Sequence, residues 1–494
     1  MRKSLNIAIF AVLLTTIICL LALISSGYFQ SSMTDQEKIV GSHPSDFSDE
    51  IRSSCTDKEG NIYLTGSGGM GLPITSAKYV GHNNSSDVMV LKLDSTGTVV
   101  KYCCLVGGND SDGGNAVVVD DAGYIYVAGT TFSFDFPVTS EAGDRGGPDG
   151  FILKIDPFTD QLLFSHIIGG SDFDSSHALA VSSDGTLFLT GCISSKEFQV
   201  TIGDEKNPSN GMDAFIQGFS PKGELMFSRV LGGSSVDTGH AIAVDSQGRV
   251  VVCGASSSSE LGSEAIVTGV SSGESDVFIS VLQPNGVIEK TRLLGSPEYD
   301  DGFGMCIDGS DNIYITGQSF GNFPGPKANI NTPNKGHGDV LILKLNRELD
   351  IVFSSLVGTP GWDYGYNIKI DTSEQILVTG FFGMAGFPVT QDTNSHNYSG
   401  GELDAFLIQV NEEGDSITYS TMIGGSGDER AYALSLTQEG SVLVGGITNS
   451  PRLLVTNGLV TGFPERSYPP DNDPFVMLVE CKRTADPLTQ EDLL

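Results

Sequence analysis

The sequence repeats itself seven times, at intervals of roughly sixty to seventy residues, and that period constrains the fold more than any other feature of the chain. Each unit carries a Gly-Gly or Gly-Ser step, a carboxylate, a short apolar run, a turn and a second run ending in glycine. An Asp then opens a third run, at Asp87, Asp149, Asp213, Asp276, Asp339, Asp404 and Asp473. The glycine closing the second run recurs at Gly66, Gly129, Gly191, Gly254, Gly317, Gly380 and Gly446. Both columns have one member per unit. Such self-similarity marks a repeat architecture, and it leaves activity open because one scaffold hosts many sites or none.

A chain of 494 residues ordinarily divides into several domains or forms one repetitive domain. The period runs from about Ile39 to Cys481, so one repetitive domain is expected, over residues 37–482. Short β-rich runs separated by turn residues, with 62 Gly and no long helical periodicity beyond the N-terminus, predict an all-β protein. In the unit around Gly232 the runs His240 to Val244, Val250 to Cys253, Val277 to Leu282 and Glu289 to Leu294 read as four antiparallel strands. Four short strands per repeat is the pattern of a propeller blade, which avoids long exposed edges by radial repetition. The fragment Glu37 to Gly41 matches the end of a fourth strand, and the last unit stops after a third strand, Phe475 to Glu480. Pairing of the two terminal strands therefore predicts a closed seven-bladed β-propeller. In the first strand a bulky column (Val117, Leu179, Ile242, Met305, Ile368, Leu434) follows a small one (Ala116, Ala178, Ala241, Gly304, Asn367, Ala433), so neighbouring blades are expected to nest large against small.

Several of these stretches carry a resemblance. Gly232-Gly233 through Asp237, Ala241-Ile242-Ala243-Val244-Asp245, the Asp-x-Phe openings at Asp149 and Asp404, and Phe136-Pro137-Val138-Thr139 or Phe387-Pro388-Val389-Thr390 resemble the seven-bladed β-propeller (SBBP) repeat family. The resemblance covers most of the chain and implies a secreted or surface-attached propeller; it brings no reaction and no catalytic residues. Leu261-Gly262 and Leu453-Leu454 stand where Phe-Pro is the pattern, and Thr359-Pro360 breaks the glycine pair.

Residues 1–30 differ in kind: Arg2 and Lys3 precede an apolar stretch from Ile7 to Leu23, as in a signal peptide or an N-terminal membrane anchor. Either predicts a secreted or cell-surface protein, touching the membrane only through that segment. The tail 483–494 is polar and acidic and is expected to be disordered. With 61 acidic against 27 basic residues and a net charge of −34, binding of nucleic acid is excluded as a function class. Seven cysteines beyond the leader (Cys55, Cys103, Cys104, Cys192, Cys253, Cys306, Cys481) follow no repeat register, so they are expected to act mainly as small buried hydrophobes.

Three columns are candidates for chemistry. Asp49, Asp112, Asp174, Asp237, Asp300, Asp363 and Glu429 stand just before the first strand of each blade. Clustered carboxylates suit Ca²⁺, the one cofactor left open; a cap accepting backbone N–H groups is the stronger expectation, because chemistry rarely needs seven identical copies. The Asp that opens each third strand is read the same way. The third column varies: Arg52, Asn115, His177, His240, Phe303, Tyr366 and Tyr432 stand at the start of the first strand. Repeat proteins keep scaffold positions alike and vary those that meet a partner, so this column is the candidate ligand-binding surface at the mouth of the central channel, and aromatic packing beneath the long loops is the other reading of the same residues. His177 and His240 form a pair for which packing is preferred over metal ligation. No nucleophile or metalloenzyme motif is present. The expected function is a non-enzymatic binding or scaffold module, monomeric, with a surface protein or a glycan as partner. The alternative is an extracellular carbohydrate hydrolase or lyase acting at the channel mouth.

Overall fold

The computed structural model describes residues 49–481 apart from 70–71, 77–84, 140–145, 204–210, 260, 262–266, 269–273, 327–329, 331–335, 391–399, 439, 451–452, 456–472 and 480. Segments 1–30, 37–41 and 483–494, on which the expectations of export, terminal strand pairing and a disordered tail rest, lie outside the described residues. Among the described residues every regular element of more than a turn is a strand, and no helix is long and apolar enough to cross a membrane.

The strands group into seven antiparallel sheets. Their first strands are Glu50–Thr56, Asp112–Val119, Asp174–Val181, Asp237–Val244, Asp300–Ile307, Asp363–Ile370 and Glu429–Leu436. Each of these touches the first strand of the next sheet, and the last touches the first, so seven blades surround one axis. The ring closes through side chains: Ser54 and Ser435 share a hydrogen bond of 2.6 Å between their hydroxyls, Thr56 donates to the Leu436 carbonyl, and Ile51, Ile62 and Leu64 pack with Ala433 and Leu443. Six blades have four main strands. The seventh has three among the described residues, Glu429–Leu436, Val442–Thr448 and Asp473–Val479. Two two-residue strands, Val267–Thr268 and Leu454–Val455, extend the outer edges of the fourth and sixth sheets, which shortens the exposed edge there.

Second strands such as Ile125–Thr131 and Ile313–Ser319 are buried at every position, because neighbouring blades cover both faces. That is why they read as unbroken apolar runs. The bulky column of the first strand is buried throughout, from Val117 to Leu434. Its small companion is small for a steric reason: a Cβ on Gly304 would come within 2.6 Å of the Tyr366 carbonyl oxygen in the next blade. The seven described cysteines are all free thiols, and Cys103, Cys104, Cys192 and Cys253 are buried.

The first strands begin three residues earlier than the sequence pattern suggests. In the fourth blade the strand opens at Asp237, not His240, and the pairing register skips from Gly239 to Ala241. His240 is a β-bulge, which interrupts the alternation that marks a strand in sequence. The same skip occurs in all seven blades.

Candidate functional site at the channel mouth

The bulged residues are the varied column: Arg52, Asn115, His177, His240, Phe303, Tyr366 and Tyr432. An extra residue in one strand has no ladder partner, and a bulge re-aims its side chain. Here the side chains of successive blades meet around the axis. His177 stacks on His240 at 5.5 Å, His240 meets Phe303 at 5.1 Å, Phe303 stacks on Tyr366 at 5.4 Å, and Tyr366 meets Tyr432 edge-on at 4.8 Å. The Arg52 guanidinium lies 5.7 Å from the centre of the Tyr432 ring and is paired with Glu50 at 2.5 Å. The structure thus brings the predicted column together around the axis, each member in contact with the neighbouring blade.

Hydrogen bonds hold this ring. Asn115 Nδ2 donates to the Ser176 carbonyl at 2.9 Å, and His177 Nδ1 lies 3.0 Å from the Gly239 carbonyl. A carbonyl only accepts, so His177 carries its proton on Nδ1. Its Nε2 faces the Cys192 sulfur at 3.8 Å. Burial pushes His177 down to about 4 and His240 down to about 3, so both imidazoles are neutral near pH 7. They stack face to face at an interplanar angle of 12°, which does not point their nitrogens at one shared point.

Two residues before each bulge stands a second varied level: Glu50, Gly113, Ser175, Thr238, Asp301, Tyr364 and Arg430. The sequence reading passed over this level. Its signal was present, as a second non-repeating column at fixed distance from the first. Tyr364 stacks on Phe381 at 4.8 Å and lies 6.0 Å from Phe303, while the Arg430 guanidinium sits 5.8 Å from the Phe381 centre. Asp301 accepts from Ser275 Oγ at 3.0 Å and Gln318 Nε2 at 2.7 Å, and burial raises its pKa. Beyond Tyr364, Trp362 is 42% exposed.

The acidic column occupies the junctions between blades, not the axis. Six of the seven accept from the backbone N–H four residues earlier, as Asp112 does from Gly108 at 2.8 Å, Asp174 from Gly170 at 2.9 Å, Asp237 from Gly233 at 2.9 Å and Glu429 from Gly425 at 2.7 Å, while Asp49 accepts from the Gly69 N–H at 2.8 Å. The Asp that opens the preceding blade's third strand reaches the same place. A Cβ built on Gly107, Gly169, Gly295 or Gly358 would lie within 3.0 Å of one carboxylate oxygen from each column. Two buried carboxylates therefore converge over one glycine, which explains why the first residue of the step is glycine in six of the seven units, at Gly107, Gly169, Gly232, Gly295, Gly358 and Gly424. Desolvation raises Asp112, Asp237 and Asp300 to about 6, and Asp363 and Glu429 to about 7. Among the described residues no group of three or more His, Cys, Asp or Glu side chains is placed to hold a metal ion.

The second residue of that step varies in a compensated way. Where it is Gly, a serine eighteen residues beyond the bulge supplies a hydroxyl to the carboxylate: Ser133 to Asp112, Ser195 to Asp174, Ser258 to Asp237. In the sixth blade the step is Gly358-Thr359, the serine position is Met384, and Thr359 donates both its N–H and its Oγ1 to Asp363. The broken glycine pair is thus a relocated hydroxyl. Thr359→Gly is expected to cost about 1–2 kcal/mol, and adding Met384→Ser should recover most of it, as read by chemical unfolding. A double variant no more stable than Thr359→Gly alone contradicts the compensation.

One match to a family model agrees with this architecture. Residues 289–324, from the fourth strand of blade four into blade five, match the family model described as beta-propeller repeat. Regulatory protein FlaEY of Caulobacter vibrioides is 25% identical over 405 residues, a match that covers 76% of this chain and 40% of that protein. The chain therefore spans well under two thirds of that relative. Among solved structures, a protein of unknown function from Dyadobacter fermentans overlaps 87% of this chain and 94% of its own, at 11% identity and a TM-score of 0.38. A luciferin-regenerating enzyme overlaps 67% of this chain and 83% of its own, at 9% identity and a TM-score of 0.34. Overlaps that loose carry no functional argument. The seven sheets around one axis, each with the same bulged first strand, are a seven-bladed β-propeller, and residues 289–324 of it are similar to the beta-propeller repeat.

Proposed function

We propose that this propeller is a non-enzymatic binding or scaffold module, exported and held at or released from the cell surface, that recognises a surface protein or a glycan with the ring of bulged side chains. The observation that carries the proposal is the contrast within one strand. Positions on either side of the bulge repeat small, bulky or acidic residues in almost every blade, while the bulge itself is Arg, Asn, His, His, Phe, Tyr and Tyr. Scaffold needs are identical in every blade, so variation gathered in the re-aimed column and in the level two residues before it fits contact with something outside the scaffold. The FlaEY protein of Caulobacter vibrioides carries the description regulatory, and a regulatory role exercised by binding suits a module of this kind.

The test replaces His177, His240, Tyr366 and Tyr432 by Ala and compares the variant with the full-length wild type on glycan arrays and displayed extracellular proteins. Loss of ring-on-ring contacts at four positions is expected to cost about 4–8 kcal/mol in all, so urea unfolding first establishes that the variant is folded, and single His240→Ala and Tyr366→Ala variants, each losing about 1–2 kcal/mol, carry the comparison if it is not. Binding should disappear. Phe158→Ser, a 73% exposed residue in a third-to-fourth-strand turn at the opposite end of the blades, should bind as wild type does. A folded quadruple variant that keeps every wild-type ligand refutes the assignment.

A second reading, a carbohydrate hydrolase or lyase at the same mouth, is favoured by one observation: Asp301 is a carboxyl whose pKa is raised by burial beside aromatic rings, as suits a general acid. Asp301→Asn would abolish cleavage and leave binding intact under that reading.

A further inference from the structure

We infer that the Phe-Pro-Val-Thr segment is an edge guard, whose threonine occupies the middle of a blade's outermost strand and denies that strand to a second copy of this chain. The inference stands apart from the recognition role of the axial ring. The segment lies between the second and third strands and crosses to the outer strand of its own blade. There Thr75, Thr139 and Thr201 donate their N–H groups to the carbonyls of Cys103, Ser165 and Ser228 at 3.0, 3.1 and 2.9 Å. The N–H groups of those same three residues donate back to the threonine Oγ1 at 2.8 Å. Thr390 Oγ1 makes both contacts with Ser420, at 3.2 and 3.3 Å.

The two blades that depart from the motif reach the same place by other means. In blade four Val267–Thr268 runs parallel to Thr291 and Arg292, and in blade five Ser354 donates its N–H to the Pro326 carbonyl at 2.9 Å and its Oγ to the Pro324 carbonyl at 3.0 Å. Cys103, Ser165, Ser228, Thr291, Ser354 and Ser420 all stand four residues before the first glycine of the step. Three chemistries at one position in six blades answer a need of the edge, not of the loop. The rest of the motif pins the segment without help from the threonine: Phe136, Phe198 and Phe387 lie against Phe151, Phe215 and Phe406 at 4.7, 5.4 and 4.6 Å. Thr139 and Thr201 themselves are exposed.

An outer strand offers a row of N–H and C=O groups on which another strand can build. This protein uses that property itself, since Val267–Thr268 and Leu454–Val455 each add to an outer strand. Two residues before the clamped position every described outer strand is bulged, and the bulged residue differs between blades. In blades two, three and five it is Leu163, Met226 and Val352, which are 42%, 53% and 44% exposed. In blades one and four it is Lys101 and Glu289. A charge on an edge opposes pairing by itself, whereas an exposed apolar residue favours it, so blades two and three depend on their threonine and blade one does not. A second copy is the occupant that fits, because it brings the same strand and the same apolar residue to a self-complementary antiparallel pair.

Thr201→Pro removes the N–H and the hydroxyl together. Light scattering of the full-length protein reads the outcome at about 0.5 M salt, because a net charge of −34 otherwise holds two copies apart. Wild type should be a monomer. Thr201→Pro should form dimers whose share rises with concentration, and its Ser228 amide should exchange with solvent about tenfold faster or more. Adding Met226→Lys should return the monomer. Thr75→Pro, on the edge that carries Lys101, should stay monomeric although its Cys103 amide opens as far. Thr201→Ala keeps the donated N–H and should show both changes more weakly; it carries the comparison if urea unfolding finds Thr201→Pro unfolded. A wild type that is already dimeric, a Ser228 amide still protected in the variants, or an opened Ser228 edge on a protein that stays monomeric overturns the inference. So does equal association of Thr75→Pro and Thr201→Pro, or association that Met226→Lys leaves intact, since the exposed apolar residue then plays no part.

Discussion

Gly317→Ala is expected to unfold the propeller or to destabilise it by on the order of 3–5 kcal/mol, although it adds a single methyl group. Gly317 faces the bulge of blade five. A Cβ there would lie 2.8 Å from the Asp301 carbonyl carbon, 3.0 Å from Gly302 Cα, and closer still to the Asp301 carbonyl oxygen. All three are main-chain atoms, so no rotamer change relieves the overlap. The strand can yield only by giving up the bulge, and with it the placement of Phe303 between His240 and Tyr366. The same main-chain approach occurs at Gly66, Gly129, Gly191, Gly254, Gly380 and Gly446, which accounts for the whole column. Gly309→Ala is the control: nothing lies within 4 Å of its Cβ, and a change within about 0.5 kcal/mol is expected. Urea unfolding of both variants decides the matter. A Gly317→Ala protein that unfolds at the wild-type midpoint is incompatible with the bulge.

The pH dependence of stability should flatten in Asp363→Asn. Burial is the first cause of the raised value of about 7 at Asp363; Thr359 N–H and Oγ1 and the Gly383 N–H act in the opposite direction. Asp339 faces it across Gly358. A carboxyl whose folded value lies above its ordinary 3.8 binds its proton more tightly in the native state. Its stabilising contribution is full below pH 3.8 and is lost as pH rises through about 7. Between pH 5 and pH 8 this one group should remove about 2–3 kcal/mol from the wild type and nothing from the amide. Glu429, also near 7, and Asp112, Asp237 and Asp300, near 6, act in the same direction and remain in both proteins. His177 and His240 act oppositely, since their lowered values withdraw stability as pH falls below 6.5, and they cancel in the comparison. The measurement is the difference in unfolding free energy between pH 5 and pH 8 for each protein. Asp156→Asn, at a carboxylate with a lowered pKa, should behave as wild type across that window. Equal slopes in wild type and Asp363→Asn would show that the carboxyl does not titrate there.

The outlines of blade and ring were legible because each blade must solve the same problems with the same residues. Seven glycines facing seven bulges, and seven carboxylates capping seven junctions, recur at one spacing and can be counted without coordinates. The bulky and small columns were legible for the same reason. Strand starts were not: His240 looks like the beginning of a strand because the bulge breaks the alternation, while the ladder runs back to Asp237. The varied column was found as variation, but its cause, an unpaired residue turned toward the axis, has no local mark in sequence.

What the sequence determined by itself is therefore what repeats: an all-β chain, seven units, four-strand blades, and the glycine and carboxylate positions that every unit shares. Tertiary structure alone decided which different residues meet. Trp362 reaches His337, Thr359 replaces a serine that Met384 lacks, Asp87 converges with Asp112, and Arg52 lies over Tyr432 only because the last blade returns to the first. The physical reason is that closing a ring brings residues of neighbouring units side by side at the axis and at the blade junctions. Periodicity records the spacing within a unit, whereas contacts between unlike residues of different units depend on how far each blade turns and where each bulge points its side chain.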